Sequence, residues 1–99
     1  MTADYAIHDN AEKSRFEADL GDGSIAIADY RLVDGRIIFI HTKVPRAHEG
    51  QGIGSGLIRF ALKSARERGL KVIPVCRFFA DYIEKHAAEQ DLLDPASRQ

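Results

Sequence analysis

Four glycines at alternate positions form the segment of this sequence best suited to bind a ligand. The segment reads Glu49-Gly50-Gln51-Gly52-Ile53-Gly54-Ser55-Gly56, and apolar residues at helical spacing follow it. Each glycine inside a helix costs about 1 kcal/mol relative to alanine, so four of them favour a ligand that approaches the backbone closely. The unpaired N–H groups and positive dipole at a helix start suit an anion, phosphate above all.

Two well-known phosphate-binding loops do not match this segment. A P-loop ends in Gly-Lys-Ser/Thr, whereas no lysine stands between Glu49 and Gly56. A dinucleotide-binding loop needs an acidic residue after the second strand, whereas the next apolar run here ends in Val75-Cys76. The sequence therefore disfavours a nucleotide kinase and a dinucleotide dehydrogenase. A tight strand-to-helix turn without a ligand is the alternative explanation of the glycines.

Two side chains, His41 and Cys76, have the chemistry of a catalyst. His41 ends an apolar run, on the same predicted strand face as Phe39, and an ordinary imidazole pKa of about 6.5 suits a general base. Cys76 ends a second apolar run, before a predicted helix that would lower the pKa of the thiol. A thiol beside a base favours nucleophilic catalysis. The alternatives are a core histidine bonded to a carbonyl and a packed, unreactive cysteine.

The elements that must position these residues begin with a meander of strands. Turn signals at Gly21-Asp22-Gly23 and at Asp34-Gly35 separate three apolar runs. The segment Ile37–Ile40 is apolar at every position, which predicts a central strand covered on both sides. The pattern thus predicts three antiparallel strands, at Arg15–Leu20, Ser24–Leu32 and Arg36–Val44.

The second half of the chain alternates helix and strand. Apolar residues at helical spacing and the capping Gly69 predict a helix over Ile53–Arg68. The connection through this helix makes the next strand parallel to the third, with a right-handed crossover. The remaining predicted elements are a strand at Leu70–Cys76 that Pro74 interrupts, a helix at Phe78–His86, and a loosely held tail at Asp91–Gln99.

Length and composition limit the function further. The 99 residues predict one α+β domain over positions 1–99, with room for one shallow groove. A formal net charge of −1 gives no electrostatic case for nucleic acid or an anionic membrane. One cysteine and the scattered His8, His48 and His86 make a metal site improbable. The N-terminal residues lack a signal pattern, so a cytoplasmic protein is expected.

The glycine segment resembles the acetyl-CoA loop of the GNAT-type N-acetyltransferase superfamily. That family's pattern is Gln/Arg-x-x-Gly-x-Gly/Ala, and Gly52 and Gly54 match its glycines while Glu49 replaces the first residue. The chain resembles more closely a subgroup of short members of this family, which are about 100 residues long. Its signature corresponds here to His41-Thr42-Lys43-Val44-Pro45, the glycine loop, Gly69 to Cys76, Phe78 and Tyr82-Ile83.

The resemblance implies a geometry for the site. Two adjacent parallel strands, here Arg36–Val44 and Leu70–Cys76, would splay apart, and the pantetheine arm of acetyl-CoA would lie in the gap. The thioester would then lie between the strand ends, near His41 and Cys76, and Tyr82 is a third candidate as the acid for the CoA thiolate. The residues expected to hold the cofactor are Val44, Gln51, Gly52, Ile53, Gly54, Ser55 and Gly56.

The function that the resemblance implies is acetyl transfer from acetyl-CoA to an amine, without a metal. Direct transfer is the default, and a route through acetyl-Cys76 is the alternative. The acceptor stays unidentified, either a small molecule or a protein lysine or N-terminus, and so does the oligomeric state. Larger relatives wall the acceptor site with additional helices and strands. The second hypothesis is therefore a non-catalytic module that binds CoA, an acyl-CoA or another protein.

Overall fold

The computed structural model describes residues 6–97, which form one five-stranded sheet with two α-helices. The strand order is β1-β2-β3-β4-β5, antiparallel throughout except for the parallel pair β4–β5. The predicted α+β class, a meander extended by a β-α-β unit, is confirmed. The elements are β1 Ala6–Asn10, β2 Arg15–Asp19, β3 Ile25–Val33, β4 Arg36–Lys43, α1 Ile53–Glu67, β5 Lys71–Pro74 and α2 Arg77–Lys85.

Among the strands and α-helices of residues 6–97, β1 is the one that the sequence pattern does not predict. It pairs antiparallel with β2 at the edge of the sheet, from Ala6 opposite Asp19 to Asn10 opposite Arg15. Its sequence ends in three polar residues, and only Ile7 among its five positions packs against the core as a large apolar side chain. An edge strand needs little apolar surface, so alternation of apolar residues is a weak signal for it.

Both helices pack against the same face of the sheet. This face carries Phe16, Ala28 and Phe39, each fully buried, and the ring of Phe39 stacks on Phe79 of α2 with centroids 4.0 Å apart. No element among residues 6–97 covers the opposite face in the same way, and Ile40 is 38 % exposed there. The prediction that β4 is covered on both sides is therefore wrong for this part of the chain.

The C-terminal segment is anchored, and the prediction of a loose tail from Asp91 is wrong as far as residue 97. Leu92 is buried in the core, and the backbone N–H of Asp94 donates to the carbonyl of Val72 at 2.9 Å. The carboxylate of Asp94 accepts from Arg36 at 2.9 Å, which holds its pKa below the usual range. These contacts place the segment along β5. Residues 98 and 99 lie outside the described part of the chain.

Candidate functional site

The parallel strands β4 and β5 separate halfway along β4. Their pairing runs from Arg36 opposite Lys71 to Phe39 opposite Pro74, whereas β4 continues to Lys43. Pro74 has no N–H to donate, so the ladder ends at that residue. One further hydrogen bond, from the N–H of Cys76 to the carbonyl of Phe39 at 2.8 Å, lies directly beyond the last residue pair. The expected splay is thus present in the backbone, at the residue that the sequence indicated.

A groove of about 850 Å³ begins where the two strands part. The free end of β4 forms one wall, and the glycine loop with the first turn of α1 forms another. Phe78, in the first turn of α2, closes a third side and is 52 % exposed. The remaining lining residues are His41, Thr42, Lys43, Val44, Pro45, Arg46, His48, Glu49, Gly50, Gly52, Ile53, Gly54 and Ser55.

The residues at the start of α1, Gly52 to Ser55, line this groove. Gly52 caps the helix in a left-handed conformation, φ +79°, and has no side chain to satisfy the first N–H groups. The first helical hydrogen bond runs from the N–H of Gly56 to the carbonyl of Gly52, at 3.0 Å. The amides of the three residues between them therefore have no acceptor inside the helix. Their unpaired N–H groups form the positive end of the helix dipole. An anion would be stabilised at this end of the groove.

The four glycines have different structural roles, which corrects the inference drawn from their number. Gly50 and Gly52 have φ values of +84° and +79°, a region that side-chain-bearing residues rarely adopt. Gly54 is buried under Phe78, and a Cβ there would lie 3.0 Å from the Cε2 atom of that ring. At Gly56 a Cβ would meet only the end of Arg59, at 4.0 Å. Backbone conformation and packing thus explain three of the four without a ligand.

His41 is exposed at the mouth of the groove, and not on the face of Phe39 as predicted. A β-bulge interrupts the β3–β4 ladder, because Tyr30 pairs with Phe39 while Asp29 pairs with His41. Asp29 and Tyr30 point to opposite faces, so His41 and Phe39 do as well. The alternation in the sequence assumed an unbroken strand. The bulge is the physical reason for the error, and the imidazole has no hydrogen-bond partner among residues 6–97.

Thr42 takes the position beside Cys76 that the sequence suggested for His41. The bulge turns Thr42 toward the helical face, opposite the buried Ala28, and its Oγ1 lies 3.3 Å from the Sγ of Cys76. Both side chains are half-buried, and Thr42 lines the groove whereas Cys76 lies behind it. The contact therefore links the thiol to the groove through a hydroxyl. Thr42 was not singled out, because a threonine in a strand carries no catalytic signal by itself.

The other predicted site residues divide into those at the groove and those away from it. Among the cofactor residues, Val44 and the loop positions 52–55 line the groove, whereas Gln51 and Gly56 lie beside it. Tyr82 lies further along α2, where its half-buried ring stacks on His86 with centroids 3.8 Å apart. The structure thus brings together the loop, His41 and Thr42, with Cys76 directly behind Thr42, and it leaves Tyr82 outside the lining.

The charge around the groove comes from the last residue of β4 and from the loop between β4 and α1. Lys43 and Arg46 line it, together with Glu49 and His48. The Nε2 of His48 lies 2.8 Å from the Oδ2 of Asp22, and this contact raises the pKa of the imidazole. Two full positive charges and a readily protonated histidine face one carboxylate on the lining. The groove is therefore cationic in a protein whose formal net charge is −1.

Neither a cluster of metal ligands nor a membrane-spanning helix is present among residues 6–97. No group of three or more histidine, cysteine, aspartate or glutamate side chains in residues 6–97 could hold a metal ion. Over the same residues, no helix combines the length and the apolar character needed to cross a membrane.

Comparison with known proteins assigns the family. The model of a family described as GCN5-related N-acetyl-transferase matches residues 15–92, which include every strand from β2 to β5, both helices and the groove. The chain therefore belongs to the GCN5-related N-acetyltransferase family, and the resemblance seen in the sequence is confirmed. A comparison with curated proteins returns no match.

A solved structure agrees with this assignment. The solution NMR structure of a GCN5-like protein from Staphylococcus aureus, proposed to be an N-acetyltransferase, superposes with a TM-score of 0.71. The two sequences are 30 % identical, and the match covers 94 % of this chain and 91 % of that one. The family, the fold and the position of the groove thus point to the same class of enzyme, an acetyltransferase.

Proposed function

We propose that this protein transfers an acetyl group from acetyl-CoA to an amine. The observation that carries the proposal is a single cationic groove with unpaired helix amides at one end and a split between parallel strands at the other. The first end suits the pyrophosphate of CoA, which carries two negative charges. The second end offers the free edge of β4 to the amide groups of the pantetheine arm. Such an arm would fill the gap as an additional strand does.

The positive groups on the lining support the same ligand. Lys43 and Arg46 line the same groove as the first turn of α1, and they would neutralise phosphate oxygens there. Val44 and Phe78 contribute apolar walls that would cover the pantetheine chain. Replacing Lys43 or Arg46 by glutamine should weaken CoA binding and reduce its salt dependence, because each contributes one charge. The same change at Lys63, on the far side of α1, serves as the matched control.

The acetyl group would lie beside Thr42 and Cys76, with His41 at the mouth of the same groove. In direct transfer, the amine nitrogen bonds to the acetyl carbon, the C–S bond breaks, and the thiolate of CoA takes a proton. The exposed His41 is our candidate for the base that accepts the proton of the amine. Cys76 or Thr42, in mutual contact at 3.3 Å, is our candidate for the acid that donates to the thiolate. Tyr82 is the remaining candidate for that acid.

Cys76 has a second role in the alternative route. Its Sγ would attack the thioester carbon, release CoA and carry the acetyl group until the amine displaces it. Intact mass after incubation with acetyl-CoA separates the routes. An added acetyl group in the wild type that is absent in Cys76→Ala supports the covalent route. An unmodified wild type that still turns over supports direct transfer, and Thr42→Val tests whether the hydroxyl activates the thiol in either case.

A non-catalytic binding module is the second candidate function, and one observation favours it. The groove is open at His41, and no element among residues 6–97 builds a wall for an acceptor there. A turnover assay distinguishes the two functions by scoring CoA release above background hydrolysis across amines, peptides and proteins with free lysines. Release that falls in His41→Gln supports the enzyme. Measurable CoA affinity without accelerated release for any acceptor would contradict it.

A further inference from the structure

The glycine loop is tied to a distant part of the chain by one polar network. Asp22 lies in the loop between β2 and β3, and its Oδ2 accepts from the Nε2 of His48 at 2.8 Å. The Nδ1 of the same ring lies 3.3 Å from the Oε1 of Gln51. We refer to these three side chains as the Asp22–His48–Gln51 network. It joins two loops that are 26 residues apart in sequence, directly beside the groove.

The arrangement of atoms favours one protonation state of His48. With the amide of Gln51 oriented as in the structure, its oxygen and the carboxylate of Asp22 are both acceptors, so both ring nitrogens donate. A ring that donates from both nitrogens is an imidazolium. The imidazole side chain is 17 % exposed, so much of it is removed from water, while Asp22 is held in place by the hydroxyl and N–H of Ser24.

The hydrogen-bond partners of His48 favour the same state, whereas the cations Lys43 and Arg46 on the groove lining oppose it. Asp22 faces the ring from the β2–β3 loop, and Arg46 and Glu49 flank it within its own segment, with Lys43 on the shared groove lining. The hydrogen bond that His48 donates to Asp22 is the largest cause that raises the pKa of His48, and the contact with Gln51 raises it further. The pKa of Asp22 is lowered, first by Ser24 and then by His48. The pKa values of the two partners are thus shifted in the directions expected of an ion pair.

We propose that His48 is a positioning residue, and that the Asp22–His48–Gln51 network holds the glycine loop in the shape that presents its amides to a phosphate ligand. The affinity for that ligand then depends on the protonation of His48. The ligand half of this inference rests on the proposed function. The existence of the network and its effect on the loop do not, and they can be measured without any ligand.

The loop needs such a restraint because of its composition. Gln51 stands between Gly50 and Gly52, the two positions whose left-handed conformation only glycine adopts readily, so this stretch of backbone has little intrinsic stiffness. The contact with His48 fixes the side chain between them. When the imidazolium loses its Nδ1 proton, a lone pair faces the oxygen of Gln51, and that contact is lost unless the amide rotates.

The direction of the pH dependence follows from the raised pKa. A group whose pKa is higher in the folded state stabilises that state fully below its unfolded value, about 6.5 for histidine. The contribution disappears as the pH rises through the folded pKa. The network therefore holds the loop most firmly in mildly acidic solution, and this stabilisation is lost as the pH rises through the folded pKa of His48.

The first experiment uses the protein without ligand and compares Asp22→Ala with Asp19→Ala. Asp19 also accepts a hydrogen bond in the β2–β3 loop, from the N–H of Gly21, but does not touch His48. Titration of the imidazoles by NMR should give a His48 pKa above 6.5 in the wild type and in Asp19→Ala, and a lower value in Asp22→Ala. Backbone order parameters from amide nitrogen relaxation at Gly50 and Gly52 should fall only in Asp22→Ala. Equal titration and equal order parameters in all three proteins would overturn the proposal.

The second experiment measures binding of dephospho-CoA at pH 5.5 and at pH 8.5. This probe lacks the 3′-phosphate, whose second ionisation near pH ~6 would otherwise change the ligand over the same range. The wild type should bind about fivefold to tenfold more weakly at pH 8.5, as expected for loss of one charge-assisted hydrogen bond. His48→Gln should lose most of this change, and what remains comes from His41, the other imidazole on the lining. A wild-type affinity that does not change with pH contradicts the coupling.

Asp22→Ala separates positioning from simple attraction between charges. Removing a carboxylate near an anion site should strengthen anion binding if only the local potential matters. Positioning predicts the opposite, a weaker affinity for dephospho-CoA at pH 5.5 than in Asp19→Ala. A stronger affinity in Asp22→Ala would refute the positioning role. Failure of the wild type to bind at either pH would contradict the proposed function and the coupling together, while the ligand-free titration would still decide whether the network holds the loop.

Discussion

Replacing Gly54 by alanine tests the contact between α1 and Phe78 that forms one corner of the groove. The new Cβ would lie 3.0 Å from Cε2 and 3.4 Å from Cζ of Phe78, and 3.8 Å from Cγ2 of Val44. Carbon atoms in contact prefer about 3.5–4.0 Å, so the ring must retreat by roughly 0.5 Å. Gly56→Ala is the matched control in the same helical turn, because its Cβ meets only the flexible end of Arg59, at 4.0 Å.

The magnitude follows from two opposing effects. Glycine to alanine gains up to about 1 kcal/mol of helix stability at either position. At Gly54, overpacking costs about 1 kcal/mol, the low end of the usual range, because the Phe78 ring is half-exposed and can tilt. We therefore expect Gly56→Ala to stabilise the protein and Gly54→Ala to leave it nearly unchanged. The difference of about 1 kcal/mol corresponds to roughly 4–8 °C in the melting temperature of a domain this size.

A double-mutant cycle with Phe78→Ala makes the test specific. Urea and thermal denaturation, followed by circular dichroism, give the free energies of unfolding. In the Phe78→Ala background the clash is absent, so Gly54→Ala should stabilise as much as Gly56→Ala does. Equal stabilities of Gly54→Ala and Gly56→Ala in the wild-type background would refute the reasoning. If Gly54→Ala stays less stable than Gly56→Ala in the Phe78→Ala background, the reasoning is also refuted, because the cause would then lie in the backbone.

Three further predictions concern other parts of the structure. Gly52→Ala must adopt a φ near +79°, so we expect it to lose about 1 kcal/mol of stability by urea denaturation and to bind CoA more weakly than Gly56→Ala by calorimetry. Tyr30→Phe removes the 2.6 Å hydrogen bond to Asp9 and should lower the free energy of unfolding by about 1 kcal/mol; an unchanged melting temperature would mean that the bond contributes nothing. The pKa of Asp94 is lowered mainly by its hydrogen bond from Arg36, so its contribution to stability is present above an unfolded pKa of about 3.9 and is lost as the pH falls through the lower folded value. Arg36→Gln should therefore weaken the dependence of the melting temperature on pH in that acid range, whereas an unaltered dependence would contradict the pairing.

The features that the sequence predicted well are those with a local cause. Turn residues and the change from strand to helical spacing placed β2 to β5 and both helices to within a few residues. Pro74 indicated where the parallel ladder ends, because a missing N–H is a property of that residue alone. The glycine loop indicated a helix start facing the groove. Each of these predictions needed only a few neighbouring residues.

The features that the sequence did not predict depend on pairing between distant residues. The bulge opposite Asp29 and Tyr30 has no signature in the β4 sequence, yet it decides that Thr42, and not His41, lies against Cys76. The contact between Asp22 and His48 joins two loops whose approach only the folded sheet determines. An isolated histidine carries no sign of its partner. One sequence alone thus predicts neither the register of paired strands nor the contacts between distant loops.

The anchored C-terminal segment shows the same limit in another form. Its composition is polar, and the two apolar residues Leu92 and Leu93 give no periodicity from which an element could be predicted. The segment is nevertheless fixed by the buried Leu92, by Asp94 and by the pair of bonds from Arg66 to Asp91, each 2.9 Å long. These partners come from β4, β5 and α1. Only their assembly distinguishes an anchored segment from a mobile end.

The most direct test of the central claim is a titration of the isotopically labelled protein with acetyl-CoA, followed through the backbone amide resonances. The account predicts that the amides of Gly52 to Gly56 and of Thr42 to Val44 shift most, since they line or adjoin the phosphate and pantetheine ends of the groove. The amide resonances of β1, at the far edge of the sheet, should not shift. Shifts that spare the glycine loop, or that are largest in β1, would contradict the assignment of this groove as the acetyl-CoA site.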